Sequence, residues 1–255
     1  MKRYALAVML LLLAGCGAGN GGGGGWAWYV VDPTDARGAT NLGFLLSGFT
    51  ATIPLSLAAM GLSLVLGFLI SMAGFSRARP LRWLNRGWVE VFRAVPILVM
   101  LLWAYYGLPV VLDLRLSVFT AAVLAIALCD SAFEAEILRA GIQSVELGQR
   151  EAAQALGLSR WHIMRFIVLP QAIRRVLPPI ANQFIYVVKM SSLASVIGFP
   201  DLTRKANELV VTVFRPLELY SVLILEYLVL ILAISFAVRA LERRMGADQR
   251  LGGER

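Results

Sequence analysis

Charged residues are scarce in this chain. They make up 16% of the 255 residues, against 58% hydrophobic residues, and the mean hydropathy is +0.72. Soluble domains carry about 25% charged residues, so this composition excludes an ordinary soluble domain and indicates a polytopic membrane protein. The net charge of +8 is explained by basic residues in cytoplasmic loops, and no nucleic-acid partner is expected.

Residue types used for catalysis and metal binding are also rare. The chain has one histidine and two cysteines, Cys16 and Cys129, whose separation indicates neither a disulfide framework nor a CxxC metal site. No HExxH, GxSxG or GxxxxGK[ST] motif occurs, which excludes a zinc hydrolase, a nucleophile-elbow esterase and a self-contained P-loop ATPase. The sequence therefore predicts a protein that is not itself an enzyme, with no catalytic residue, metal or cofactor.

The amino terminus combines two basic residues, an apolar stretch that ends at Ala14, and Cys16. The stretch has the form of a secretory signal and is too short to cross a bilayer, which takes about 20 apolar residues. Its end, LAGC, resembles a bacterial lipobox, in which the cysteine is lipidated. Residues 1–16 are thus predicted to be a lipoprotein-like signal, with an uncleaved anchor or a misassigned start codon as alternatives. Residues 17–43 are predicted to be a Gly-rich external linker.

Long runs with few or no charges indicate five membrane-spanning helices. They are predicted at about 48–74, 89–112, 117–138, 179–199 and 217–238. Most arginines lie in the loops after the first, third and fifth spans, and such loops face the cytoplasm. The expected fold class is an all-α integral membrane protein whose N-terminal region is outside and whose C-terminus is cytoplasmic.

The longest predicted cytoplasmic loop, about 140–178, contains the block EAAQALGLSRWHIMRFIVLP at 151–170. Gly157 suits a helix end at positive φ, Ser159 can cap a second helix, and Pro170 closes it. The second helix is apolar on nearly every side. We therefore expect it to be buried, either against the protein's own spans or in another protein.

This block resembles the EAA loop of ABC importer permeases, whose pattern is EAA, three residues, Gly, nine residues, Ile, one residue, Leu-Pro. The chain has Glu151-Ala152-Ala153, Gly157, Ile167 and Leu169-Pro170, with every spacing kept. In that family the loop is a coupling helix that docks on a separate ATPase. The resemblance therefore implies an ATPase-coupling role for Glu151, Ala152, Ala153 and Gly157. It also implies a five-helix type I importer permease core over 44–245, followed by a cytoplasmic tail over 246–255.

The likeness narrows to the polar amino acid permeases. The matching segments are FRAVP at 92–96, YYGLP at 105–109, AEILRAGI at 135–142, LPQA at 169–172 and NQF at 182–184. The chain departs from that group at Met190, where Asp or Asn is usual, and at Ala94 and Val95, where Gly and Thr are common. The family's partners are an ABC ATPase, a second permease subunit, identical or paralogous, and an extracytoplasmic substrate-binding protein. Its location is the bacterial cytoplasmic membrane, in contact with lipid.

Three ionisable residues fall near the predicted midplane: Asp130, Lys189 and Glu226. Charges inside a membrane are costly and usually face a pathway or a partner. A zwitterionic amino acid needs both acidic and basic partners, so these residues, with Ser191 and Ser192, are the predicted substrate pathway. The excess of acids favours a cationic substrate such as arginine or lysine. The alternative is a structural ion-pair network of Asp130, Lys189 and Glu226 between the spans. Glu134, Glu136 and Arg139 are expected to brace the cytoplasmic loop.

The function predicted is that of a permease subunit in an ATP-driven importer for polar amino acids, working by alternating access. Two alternatives stay open. One is a permease for another small solute, because the coupling motif is shared across importers. The other is a membrane-anchored scaffold or sensor lipoprotein, in which the spans and their charges are structural.

Overall fold

The computed structural model of the protein describes residues 27–246, and this part is almost entirely helical, with no strand. The predicted signal segment with Cys16, and all but the first residue of the predicted tail, lie outside the described residues. In chain order the helices are α1 (Ala36–Leu46), α2 (Phe49–Gly74), α3 (Arg79–Ala94), α4 (Ile97–Leu112), α5 (Val118–Gln143), α6 (Leu147–Ala155), α7 (Leu169–Met190), α8 (Leu202–Val213) and α9 (Pro216–Gly246).

Four helical stretches in the described chain are long and apolar enough to cross a membrane. They are Ala36–Gly74, Val118–Gln143, Arg160–Ile197 and Pro216–Ala240. The first, third and fifth predicted spans lie within three of them. The stretch Arg160–Ile197 starts much earlier than the predicted 179, because the second half of the 140–178 loop is already part of it.

The second predicted span is not one straight helix. Helices α3 and α4 meet at a bend of 99° and count as a fifth span only if the pair is taken together. Val95, between them, has the extended values φ −78° and ψ 125°. Pro96 causes the break, because proline has no backbone N–H and disfavours the helical conformation in the residue before it.

The later part of the predicted linker is folded rather than extended. Trp28–Val31 forms a 3-10 helix, and the Asp35 side chain caps α1 by accepting hydrogen bonds from two backbone N–H groups. The backbone N–H of Ala27 donates to Glu218 Oε1 of α9 at 2.7 Å. This segment therefore packs on the last helix, and Asp35, a residue type favoured at helix N-caps, is the sequence signal that could have indicated α1.

The most extensive helix contact in the described chain joins α2 and α5. A Cβ added at Gly67 of α2 would lie 2.6 Å from the Cβ of Glu134 of α5. Small residues make this approach possible, as is usual between membrane helices. On α2 the buried small residues are Thr52, Ser56, Ala59, Ser63, Gly67 and Ser71, and on α5 they include Ala121, Ala122, Ala125, Ala132 and Ala135.

Two π-helical turns occur in the described chain, and each lies directly before a Leu-Pro pair. Trp103–Gly107 precedes Leu108-Pro109, and Ile163–Val168 precedes Leu169-Pro170. A proline within a continuing helix displaces the carbonyl four residues earlier, and a wider π turn accommodates it. Both prolines thus lie within a continuing helix. This corrects the expectation that Pro170 ends the second helix of the loop.

Candidate functional site

The EAA loop consists of a short helix, a glycine turn and a second helical segment. Helix α6 ends at Ala155, and Gly157 follows with φ +77°. Leu158 N donates to Ala153 O at 3.1 Å, and Gly157 N donates to Gln154 O at 2.9 Å. These two bonds form the Schellman arrangement, which closes a helix through a left-handed residue. The predicted turn at Gly157 is confirmed.

The loop has a small apolar core of its own. Val145, Ala153, Ile163 and Val168 are buried together, with Ile142 and Ile167 packed beside them. Ala153, the second alanine of the EAA motif, is 3% exposed, whereas Glu151, Ala152 and Gly157 are exposed. The motif therefore holds α6 to the loop through one alanine and presents its other positions outward.

The outer surface of the loop is strongly apolar. Its exposed large side chains include Leu156 (81%), Leu147 (71%), Trp161 (66%) and Phe166 (64%). Such a patch on an isolated subunit marks an interface. Burial within the subunit accounts for Ile163 and Val168 of the second helix. Trp161 and Phe166 of the same helix stay exposed.

Asp130 lies at the junction of three helices. Its carboxylate accepts a hydrogen bond from Ser63 Oγ of α2 at Oδ2 and one from Gln183 Nε2 of α7 at Oδ1, each 2.6 Å long. The residue is 1% exposed. Both oxygens are thus used inside the subunit. Gln183 belongs to the NQF motif, and Ser63 to the run of small residues on α2, so both could have been found from the sequence.

Lys189 is exposed near the end of α7 and forms no ion pair with Asp130 or Glu226. The ion-pair network considered as an alternative is therefore wrong. The neighbouring hydroxyl groups are used locally: Ser191 Oγ donates to Val188 O at 2.8 Å, and Ser192 Oγ donates to Lys189 O at 2.7 Å. Within the described chain, Lys189 is the one residue of this group whose side-chain N–H groups donate no hydrogen bond.

Glu226 lies apart from this region, on the N-terminal half of α9. It is 5% exposed, and neither carboxylate oxygen has a hydrogen-bond partner among the described residues. It lines an apolar cavity of about 410 Å³ whose other walls include Trp28, Leu42 and Phe49. Because α1 and the 3-10 helix supply these walls, Glu226 faces the N-terminal segment.

Glu134 is a buried acid whose position differs from the expectation. Its side chain is fully buried against Gly67, and both carboxylate oxygens lack hydrogen-bond partners in the described chain. Glu136 and Arg139 form an ion pair at 2.8 Å near the inner end of α5. The expectation that Glu134 braces the loop is wrong, because it faces α2.

Comparisons with known proteins agree with this geometry. Residues 63–247 match the family described as the inner membrane component of binding-protein-dependent transport systems. The chain belongs to this family. Among its relatives is the glutamine transport system permease protein GlnP of Escherichia coli (strain K12), 42% identical over 211 residues that cover 79% of this chain and 92% of that protein. Another is the arginine transport system permease protein ArtQ of Bacillus subtilis (strain 168), 35% identical over 205 residues, which cover 80% and 94% of the two chains.

Solved structures of permeases share the fold. The crystal structure of an amino acid ABC transporter with histidines has a chain that superposes with a TM-score of 0.77 at 37% identity, covering 81% of this chain and 96% of that one. An inward-facing structure of the MetNI methionine transporter gives a TM-score of 0.69 at 18% identity, covering 81% and 98%, and shows the fold alone. The all-α permease fold expected of a type I importer is confirmed.

Proposed function

We propose that this chain is the membrane-spanning subunit of an ATP-driven importer for a polar amino acid. The observation that carries the proposal is the folded EAA loop, whose buried alanine, Schellman turn and exposed apolar surface all fit a helix that docks on another protein. Relatives named for glutamine and arginine transport, each covered over nine-tenths of its length, support the substrate class.

A separate ATPase is the proposed occupant of the loop surface. The cytoplasmic side offers an apolar patch centred on Leu156 and Trp161, with Glu151 beside it. A helix that inserts into a groove needs apolar anchors one turn apart and a polar rim. Glu151, Ala152 and Gly157 are therefore proposed to contact the ATPase, and Ala153 is proposed to hold the helix in place from beneath.

Lys189 is the proposed contact for the carboxylate of the transported amino acid. An exposed ammonium group within a membrane-spanning stretch is costly unless it faces a polar pathway or a partner. A second permease subunit, identical or paralogous, would enclose such a pathway against α7. Asp130 contributes by holding Gln183 through a 2.6 Å hydrogen bond.

A cationic substrate is no longer favoured in this arrangement. That preference required two acids near Lys189, but Asp130 is occupied by Ser63 and Gln183, and Glu226 faces the N-terminal segment. A substrate recognised by its carboxylate does not need a cationic side chain. We therefore put a neutral polar amino acid such as glutamine ahead of arginine.

The proposed location is the bacterial cytoplasmic membrane, with the N-terminal segment outside and the EAA loop inside. The excess of arginine in the loop and at the end of α9 supports this orientation. An extracytoplasmic binding protein would then deliver the amino acid on the side of α1 and α8.

The test is amino-acid uptake and ATP hydrolysis in proteoliposomes. These contain this subunit co-expressed with its ATPase and supplied with binding protein, to which glutamine, arginine or histidine is added in turn. Stimulation by one amino acid is expected. The Lys189→Met variant should lower uptake about 10-fold or more, the size of a lost charge-assisted hydrogen bond.

Lys205→Met is the matched control, since Lys205 lies on α8 over the ring of Phe44 at 4.2 Å. It should retain uptake close to that of the unmodified protein. Hydrolysis without a response to any amino acid would sink the substrate assignment. Equal uptake by the Lys189 and Lys205 variants would remove Lys189 from the pathway.

A further inference from the structure

The cytoplasmic end of α5 is bound by two arginines from two other elements. The Arg150 guanidinium of α6 donates to the carbonyl of Ile142 through Nη2, and the Arg175 guanidinium of α7 donates to the carbonyl of Ser144 through Nη1. The last carbonyls of a helix have no donor within the helix and carry partial negative charge. Both guanidinium groups thus bind where a cation is favoured.

The helices that supply these arginines also meet α5 through close packing. A Cβ added at Gly141 of α5 would lie 2.0 Å from Val176 Cγ1 of α7, so the Val176 side chain packs directly on α5 at Gly141. Helix α6 sits on the loop core through Ala153. Gln171 of α7 also donates to Gln149 of α6 at 2.6 Å. The three elements therefore join at one end of α5.

A role in stability alone does not account well for this arrangement. Arg175 is exposed and Arg150 is only partly buried, and an exposed cation at a helix C-terminus contributes about 0.3–1 kcal/mol. The geometry is more specific than that energy requires, because the two guanidinium groups tie two different elements, α6 and α7, to carbonyls two residues apart at the same helix end.

The elements that are tied together reach the interior polar site. Asp130 on α5 and Gln183 on α7 are joined by a hydrogen bond. At a rise of about 1.5 Å per residue, Asp130 lies roughly 18 Å along α5 from Ile142, and Gln183 lies roughly 12 Å along α7 from Arg175. A displacement of α6 that passes to both helices at the same point would move them together. A displacement that reached only one helix would break the contact between them.

We propose that Arg150 and Arg175 are positioning residues that fasten the docking helix α6 and the helix α7 to the end of α5, so that movement of α6 reaches both helices. This inference rests on the proposed function, because it concerns how ATP-driven motion of the loop reaches the translocation pathway. Neither arginine contacts the substrate. Their effect is on the coupling between hydrolysis and transport.

The experiment measures ATP hydrolysis and amino-acid uptake together in proteoliposomes that contain the complete transporter. The variants are Arg150→Gln, Arg175→Gln and the double variant, and the control is Arg82→Gln, an exposed arginine on α3 far along the chain from the loop. We expect the double variant to keep the ATPase bound during purification and to retain basal hydrolysis. We expect its ATP consumed per amino acid imported to rise about 10-fold, the scale of a typical coupling between two sites.

The outcomes separate this inference from the proposed function. If the unmodified transporter shows no hydrolysis stimulated by an amino acid, the proposed function fails. If it is coupled and the double variant has the same ratio as the control, the inference alone is overturned. Loss of the bound ATPase would assign the arginines to docking and would also overturn it. Should the double variant fail to insert, the two single variants carry the same comparison.

Discussion

Gly157 has the only left-handed backbone conformation in the loop, with φ +77°. No neighbouring atom lies within 4 Å of the place where its Cβ would stand. The restriction at this position is therefore conformational and not steric, since an L-residue in this region costs about 1–2 kcal/mol. Gly148, on α6 itself, is also open on its Cβ side but has ordinary helical geometry.

Substitution of these two glycines by alanine should affect binding of the ATPase differently. Gly157→Ala should open the Schellman turn and weaken binding of the ATPase, whereas Gly148→Ala should leave binding intact because alanine favours a helix by about 1 kcal/mol. The stronger variant Gly157→Asp should abolish binding while the protein still inserts in the membrane. Co-purification of the ATPase measures this, and equal recovery with both alanine variants would contradict the coupling role of the turn.

Asp201 is a second residue whose environment has a measurable consequence. It caps α8 by accepting the Arg204 N–H at 2.8 Å, and it is fully buried outside the spans. Burial raises the pKa of its carboxyl from 3.8 to about 7, although hydrogen bonds from the backbone act in the opposite direction. The folded protein therefore binds this proton more tightly than the unfolded chain does.

The stabilising effect of that proton is fully present below about pH 4 and is lost as the pH rises towards 7. Thermal unfolding in detergent should show this decline, by an amount on the order of a few kcal/mol at most. Asp201→Asn keeps the capping oxygen and should flatten the profile between pH 4 and 7. Asp113→Asn, in an exposed loop, is the control and should keep the original slope. A slope unchanged in Asp201→Asn would contradict a neutral carboxyl at this position.

At the scale of elements, the α2–α5 contact determines the interior of the subunit. Its closest point is Gly67 against Glu134, two turns of α2 from Gly61, which has an open Cβ direction. Close packing of small residues replaces the hydrophobic driving force that is absent between helices in lipid. The same contact places Ser63 against Asp130.

Gly67→Ala should separate these helices and lower stability by about 1–3 kcal/mol, the usual cost of overpacking. Gly61→Ala, on the same helix, should change the midpoint of thermal unfolding much less. The comparison is made on purified protein in detergent. Similar midpoints for both variants would mean that α2 and α5 do not approach as closely as their backbones indicate.

At the scale of the molecule, two of the exposed surfaces of the described chain bear on the proposed function: the apolar loop surface and the face that carries Lys189. Both are accounted for if one faces the cytoplasm and the other faces a second subunit within the membrane. Arg115, in the loop before α5, and Gln154, on α6, are exposed and lie near opposite ends of α5. They are suitable positions for determining the orientation.

Single cysteines at these positions should react from opposite sides of the membrane. In a parent that carries Cys16→Ser and keeps the buried Cys129, a membrane-impermeant maleimide should label Arg115→Cys in intact cells and Gln154→Cys only after permeabilisation. The parent without either added cysteine gives the background. Labelling in the reverse order would invert the proposed orientation.

The sequence by itself determined the features that depend on local chemistry and spacing. Charge-free runs predicted four helices that the structure confirms, and the EAA spacing predicted the turn at Gly157, because a helix end at positive φ needs glycine. The bend at Val95-Pro96 was also available from local rules, although the apolar run that follows it was taken as one span.

Tertiary structure alone decided which polar groups meet. The sequence predicts similar depths in the membrane for Asp130, Lys189 and Glu226, but a predicted depth does not fix the direction in which a side chain points. Helix rotation and packing set that direction, and they turn Asp130 towards Ser63 and Gln183 and Glu226 towards the N-terminal segment. The two arginines at the end of α5 could not be predicted either, because the contact joins elements that only the folded loop brings together.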